Sequence, residues 1–426
     1  MPSRGCSVTG PSVEAHRILV LLVGMLVLLL LGLIYAYSVL LAPLKVAFSW
    51  DVSGMTLVFS LSIVSFTLGC LVSGEIERRG HARRGLLLGA MLLLFGFLGT
   101  STVSGDVSLV LTCAFYGLVA SLGIGIVYNV VIPTVTAWFP DRCGLAQGVS
   151  LMGFGAGGFV LGPVVTQLYV LLDWHVVLLG LGVSMTAIVL ASAMVMRPPS
   201  GGDLTGVSVT SAAGAHDPAR ETNVREMMRE RTFWLLYAIL FLLGGVGMGV
   251  TGIGRELPLA LGVDDMAAAF VIGFVNIGSG VGRLGGGIIL DRAGRANTMC
   301  AIACVGAVAP ALMIGSLVLG SVPLQVAACL LTGITWGAAV VSMPYVTRTE
   351  WGQRNMAENM AVVNTYSIPG AVVGSWGAGL FSTLMGSFVP TLLVMCFMGV
   401  GSLFVAYEMR DAAERPSRPA RRESGI

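Results

Sequence analysis

Charge is scarce in this chain. Asp, Glu, Lys and Arg make up 11% of its 426 residues, against about 25% in soluble domains. Hydrophobic residues make up 55% and mean hydropathy is +0.88, which excludes an ordinary water-soluble domain. Histidine is scarcer still, with four residues, and the eight cysteines include no C-x-x-C pair. A disulfide framework and a zinc site are therefore not expected, and the thiols read as free groups within helices. No metal or other cofactor is expected. No nucleophile–base constellation stands out, so the chain is not expected to be an enzyme. Nothing resembles an ATP-binding motif, and no nucleic-acid partner is expected. The Gly153, Gly155, Gly158 pattern in "GFGAGG" lies inside an apolar run, not between a strand and a helix. It reads as close helix contact, not as a dinucleotide fingerprint. A cleaved signal peptide is not expected either, because the first apolar run, 18–41, is too long and lacks a small-x-small site after it.

What the chain has is long apolar runs and 58 glycines. A bilayer core about 30 Å thick needs about 20 apolar residues per helix. That ruler gives twelve spans: 18–41, 53–74, 85–104, 107–135, 144–171, 175–196, 232–254, 265–290, 297–319, 322–346, 357–384 and 388–408. The expected fold class is an all-α integral membrane protein. With the N-terminus inside, 21 of the 24 Lys and Arg fall on the cytoplasmic side. Lys45 and Arg255 fall outside and Arg283 falls within a span. This asymmetry predicts a multi-pass protein of the cell (inner) membrane with both termini cytoplasmic.

The division expected is a six-helix half at 1–196, a cytoplasmic linker at 197–231, a second six-helix half at 232–409 and a tail at 410–426. The linker starts rich in Pro, Gly and Ser. From about Pro218 its charges alternate at helical spacing, which predicts an amphipathic surface helix. The halves repeat. An offset of 214 places Glu77 on Asp291, Arg78 on Arg292 and Gly80 on Gly294. An offset of 212 places Arg142, Phe154, Gly158 and Gly162 on Arg354, Tyr366, Gly370 and Gly374. Parallel six-helix repeats around a midplane site are the architecture of a major facilitator transporter.

Residues 73–84 and 287–295 resemble the G-x-x-x-D-R-x-G-R signature of that superfamily, with Ser73 for the first glycine and Glu77 for the aspartate. Three segments, "GLIYAYSVLLAPL", "GIGIVYNVVIPTVTAWFPDRCGLAQGVSLMGFGAGG" and "TWGAAVVSMP", resemble the oxalate:formate antiporter family, related to monocarboxylate transporters. The resemblance runs from Ile18 to about Ala406. It implies a major facilitator fold in two pseudo-symmetric halves that rock about a bound carboxylate. It also implies that Glu77 and Asp291, with Arg78, Arg292 and Arg142, latch the cytoplasmic ends. In oxalate-transporting members an arginine in span eight and a lysine in span eleven embrace the dicarboxylate. Arg283 falls on the arginine, but Ser367 stands at the lysine, so a monoanion fits better than oxalate. Monocarboxylate transporters carry an acid four residues before the arginine; Ser279 stands there, and a proton relay through it is not expected.

Arg283 lies eight residues, or about 12 Å, before Asp291 along a helix. No Asp, Glu or His lies deep in any span. A substrate carboxylate would neutralise the guanidinium through two parallel charge-assisted bonds, or the side chain would snorkel to the interface. Asn276 and Ser279 share its helical face and would bind substrate or merely join helices. Tyr35, Tyr128 and Trp336, and less securely Tyr37, match or adjoin aromatics of the family's cavity; helix packing is the other reading. Phe154 and Tyr366, equivalent in the repeat, fall near the pseudo-twofold axis. Asn129 and Asn364 are intramembrane amides with packing or binding roles. The expected function is secondary active transport of a small carboxylate of the lactate, formate and acetate class. A dicarboxylate antiporter and a non-transporting sensor are the alternatives. The expected partners are the carboxylate, the bilayer and a coupling proton or counter-substrate, with the protein a monomer.

Overall fold

A computed structural model describes residues 11–50, 52–200, 221–253 and 256–414. Arg255, residues 201–220 of the linker and the tail from residue 415 lie outside them. Within the described residues the chain is helical and has no strand, and helices pair their own backbone groups, which matters because an unpaired amide in hydrocarbon costs several kcal/mol. The first half comprises α1 (Pro11–Leu31), α2 (Val52–Arg78), α3 (Ala82–Ser101), α4 (Ser108–Trp138), α5 (Cys143–Leu171) and α6 (Trp174–Val195). In the second half, α7 (Arg231–Ile253) is followed by α8 and α9, which run together as Asp265–Leu319 and divide at Gly294. Then come α10 (Val322–Trp351), α11 (356–385) and α12 (Val389–Glu414).

By length and apolarity, ten described helices could cross a membrane. One of them, Phe270–Leu319, has 50 residues, or about 75 Å of helix, and therefore holds two crossings. α11 is missing from the ten because it is broken: Met356–Asn364, Ser367–Gly370, a π-helical stretch at Ala371–Trp376, and Gly377–Met385. Twelve crossings result. Large apolar side chains cover the lipid-facing surface, among them Phe270, Phe397 and Phe404.

The repeat is visible in the backbone. Gly80 ends α2 at φ +73° and Gly294 divides α8 from α9 at φ +74°. Both reversals need left-handed backbone, which a β-carbon would strain. The helices that carry the midplane residues are packed backbone to backbone. A β-carbon on Gly282 of α8 would lie 2.2 Å from the Ile334 carbonyl oxygen, and one on Gly337 of α10 2.1 Å from that of Ser279. Only glycine allows this approach, and it holds the Arg283 helix rigidly against the Trp336 helix.

The linker departs from expectation. In place of an amphipathic helix, its described part holds only one helical turn, Val224–Met227. Asn223 starts that turn with its side chain accepting from the Glu226 N–H, in extended backbone at φ −85°, ψ 167°. The preceding residues pair with the second half instead. Thr222 N–H donates to the Trp351 carbonyl (3.0 Å), and its own carbonyl accepts from the side chains of Asn355 (3.1 Å) and Asn359 (2.9 Å). Those bonds outbid the local helix preference of the alternating charges.

Candidate functional site

Arg283 sits midway along α8 and is 1% exposed. It does not snorkel. Its Nη1 donates to the Leu151 carbonyl on α5 (2.8 Å), so the guanidinium reaches into the other half. Gly155 makes room, since a β-carbon there would lie 2.2 Å from Nη1. The guanidinium carbon stands 6.0 Å from the Phe154 ring centre, at the outer limit of a cation–π contact. Tyr35, Tyr128 and Tyr366 surround the same charge. Among the described residues no carboxylate pairs with it, and its Nε has no hydrogen-bond partner.

Between the halves lies a cavity of about 30 Å³, which Arg283 does not itself line; Phe154, whose ring centre is 6.0 Å from the guanidinium carbon, does. Tyr35, Tyr128, Phe154, Trp336, Asn364, Tyr366 and Ser367 line it. Tyr35 bridges the halves, its ring meeting Phe154 edge-on at 5.2 Å and Trp336 at 5.8 Å. Phe154 and Phe66 lie 5.0 and 5.1 Å from Tyr128, which closes the aromatic wall. Trp336 is 5% exposed and its Nε1 has no partner. Two buried N–H groups, on Arg283 and Trp336, therefore lack acceptors, and a buried donor left unpaired costs about 1–3 kcal/mol. The arrangement can hold a small acceptor-rich anion.

Other expected residues lie elsewhere. Ser279 is buried without a hydroxyl partner, and its backbone forms the α8–α10 contact. Asn276 is half-buried on α8 and is not among the cavity-lining residues. Tyr37 stacks on Phe59 at 4.3 Å, away from the cavity. Asn129 joins the halves, donating to the Cys70 carbonyl (3.2 Å) and to that of Ala357 (3.0 Å). Phe66, Met248 and the Thr67 and Cys70 pair on α2 carry no local signal in the sequence. Thr67 shares a hydroxyl contact with Ser367 (2.9 Å), and Asn364 Nδ2 donates to Cys70 Sγ (3.5 Å), both across the halves. A larger cavity of about 320 Å³ opens between α11 and α12, but its lining of Val, Gly, Ala, Phe and Met, with one Thr, offers nothing for an anion.

Where the α2–α3 and α8–α9 turns lie, the halves are joined again. Asp291 accepts from the N–H groups of Gly144 (2.9 Å) and Leu145 (2.8 Å), the first turn of α5. A carboxylate there is favoured by the helix dipole. Arg142, expected in this latch, is exposed but acts electrostatically on Asp291; Arg292 is exposed. The symmetry-related latch is built differently. Arg78 and Arg79 both turn onto Glu75 of their own helix (2.7 Å each), and among the described residues Glu77 makes no ion pair. The carboxylate at the turn into α11 is Glu221 of the linker, which accepts from the N–H groups of Gln353 (3.3 Å) and Arg354 (2.9 Å). Gln353 in turn donates to the Pro133 carbonyl of α4 (3.0 Å). Asp291→Asn is expected to raise the population open at this end about tenfold, because one charged acceptor and its second bond are lost. Distances between spin labels on α5 and α8 would read it, and an unchanged distribution would show that Asp291 does not hold this end closed.

Residues 21–375 match the Major Facilitator Superfamily. The chain belongs to that superfamily. Among its relatives are an oxalate:formate antiporter of Oxalobacter formigenes, 26% identical over 87% of this chain and 88% of that protein, and monocarboxylate transporter 12-B of Danio rerio, 25% identical over 87% and 82%. Two solved structures share the fold of this superfamily transporter. The transporter FucP in the outward conformation aligns with a TM-score of 0.70 at 14% identity, covering 92% of this chain and 99% of its own. A double-Trp mutant of XylE aligns at 0.75 and 12% identity, covering 93% and 96%.

Proposed function

We propose that this superfamily member is a secondary active carrier of small carboxylate anions, monocarboxylates of the lactate, formate and acetate class, working by alternating access with Arg283 as anchor. The observation that carries the reading is a fully buried guanidinium with no carboxylate partner among the described residues, together with a second orphaned donor on Trp336 of the cavity wall. A substrate carboxylate brings both the missing charge and the missing acceptors. Tyr35 and Tyr128 add phenol hydroxyls, and the rings exclude water and bulk. The relatives' names, antiporter and monocarboxylate transporter, agree with this chemistry.

Asp291, docked on the start of α5, and Glu221, docked on the turn into α11, would be the cytoplasmic latches, with Arg142 acting on Asp291 and with Glu77, Arg78 and Arg292 in supporting turns. Breaking them would let the halves rock, and the Lys and Arg asymmetry of the sequence supports a cell-membrane protein with both termini cytoplasmic. Direction and driving gradient follow from exchange against a counter-substrate or from proton symport. One relative's name favours a second reading, dicarboxylate exchange, but Ser367 and Asn364 give the far wall no cation.

The test is counterflow in proteoliposomes with labelled formate, acetate, lactate and oxalate. Saturable counterflow of the monoanions, with oxalate slower, is the expected result. Oxalate as the fastest substrate would support the second reading, and binding of the acids without any counterflow would make the protein a sensor.

A further inference from the structure

The cavity wall has two chemically unlike poles. At one, Trp336 Nε1 is a donor without an acceptor, and Arg283, whose Nε is likewise unpaired, stands 6.0 Å from the lining ring of Phe154. At the other, the proton count runs the opposite way. Ser367 Oγ contacts Thr67 Oγ1 (2.9 Å), and each hydroxyl also reaches a backbone carbonyl, Ser367 that of Asn364 (2.8 Å) and Thr67 that of Ile63 (2.9 Å). Each hydroxyl has one proton and two lone pairs. Whichever one donates across the pair, both protons are used within these four groups, and Ser367 keeps a free lone pair on the cavity wall. Asn364 follows the same logic. The Cys70 thiol donates to the Gly125 carbonyl (3.4 Å), so its sulfur can only accept, and it does so from Asn364 Nδ2 (3.5 Å). The amide nitrogen is thereby turned to the sulfur, which takes one of its two protons, and Asn364 Oδ1 is left as an acceptor. Ser367 and Asn364 both line the cavity and each is 5% exposed.

We propose that this acceptor pole selects 2-hydroxy monocarboxylates, with Ser367 Oγ and Asn364 Oδ1 receiving the substrate's hydroxyl proton while Arg283 and Trp336 hold its carboxylate. This rests on the carboxylate-carrier reading above. Trp336, Ser367 and Asn364 line the same small cavity, which favours a substrate of two or three carbons. A second carboxylate, or a 2-oxo group, would set acceptor against acceptor. A methyl or methylene in place of the hydroxyl would leave the pole unpaired on desolvation. An ammonium would bring three strongly hydrated protons and a charge to a wall that has no anion.

Four three-carbon acids differ only at this position: lactate, propionate, pyruvate and alanine. Each is used unlabelled to compete with labelled lactate in counterflow by the full-length protein in liposomes. Lactate is expected to reach half-inhibition at a concentration about tenfold lower than propionate, pyruvate or alanine. Ser367→Ala should collapse the lactate-to-propionate ratio towards one, whereas Ser367→Thr, which keeps a hydroxyl, should preserve it. A purely structural role for Ser367 would change all four acids together and leave the ratio intact. Equal competition by propionate or pyruvate in the unsubstituted protein, a preference for alanine, or a ratio that survives Ser367→Ala each overturns the hydroxyl selection while the carrier reading stands. Absence of counterflow with any carboxylate overturns the carrier reading, and this selectivity with it.

Discussion

Arg283→Ala is expected to lower carboxylate counterflow at least about a hundredfold while leaving the protein folded. Two charge-assisted bonds contribute about 1.5–3 kcal/mol each, and losing about 3 kcal/mol already corresponds to that factor. Folding should survive because the guanidinium returns little to the protein. It donates to the Leu151 carbonyl and interacts with the Tyr35 hydroxyl, and its Nε has no partner. Removing a buried, unneutralised cation relieves its desolvation cost, which offsets the cavity that alanine leaves. Arg283→Lys separates charge from shape. The ammonium keeps the positive charge but loses the planar fork and the reach to Leu151, so transport should stay at least about tenfold down. Counterflow at an unchanged rate in Arg283→Ala would remove this residue from the site.

Glu350→Gln is expected to destabilise the protein by about 3–5 kcal/mol, the usual penalty for stranding one member of a buried ion pair. Arg295, just beyond the α8–α9 break, pairs with Glu350 near the end of α10, with side chains only 10% and 4% exposed. The neutral amide would take away the carboxylate paired with the desolvated guanidinium and leave it only the electrostatic attraction of Glu230 and Tyr345. Thermal unfolding in detergent, followed by a thiol-reactive dye at the buried cysteines, would show a lower midpoint. The double substitution Arg295→Met with Glu350→Leu should recover most of the loss, since apolar groups of similar size avoid the desolvation penalty. If the single variant melts with the unsubstituted protein, the pair is not a structural element of this end of the bundle.

The crossings were readable because hydrocarbon imposes a length and a composition on every one, whatever its partners. Repetition carried further: aligning Gly80 with Gly294 and Phe154 with Tyr366 picked out two glycines in the same left-handed backbone and two rings on one cavity. Arg283 stood out because charge in a span is expensive. What stayed hidden depended on partners remote in sequence. Arg295 and Glu350 are 55 residues apart, and both look like ordinary end-of-span charges until the fold buries them together. Thr67 and Ser367 are single hydroxyls 300 residues apart, and neither differs locally from the many hydroxyls that bond their own helix. The linker's alternating charges suggested a helix on local grounds, but Thr222 and Glu221 pair with the α10–α11 turn instead. Glu77 matched Asp291 by alignment, yet Glu75 took its arginines and Glu221 took the helix start. Local pattern cannot rank such competitors, because their energies depend on which backbone groups come within reach.

The most direct test of the account is labelled lactate counterflow into liposomes preloaded with unlabelled lactate, comparing the unsubstituted protein with Arg283→Ala. Transient accumulation of label above equilibrium in the first and none in the second is the predicted result. Lactate binding without accumulation, or accumulation that is indifferent to Arg283, would contradict it.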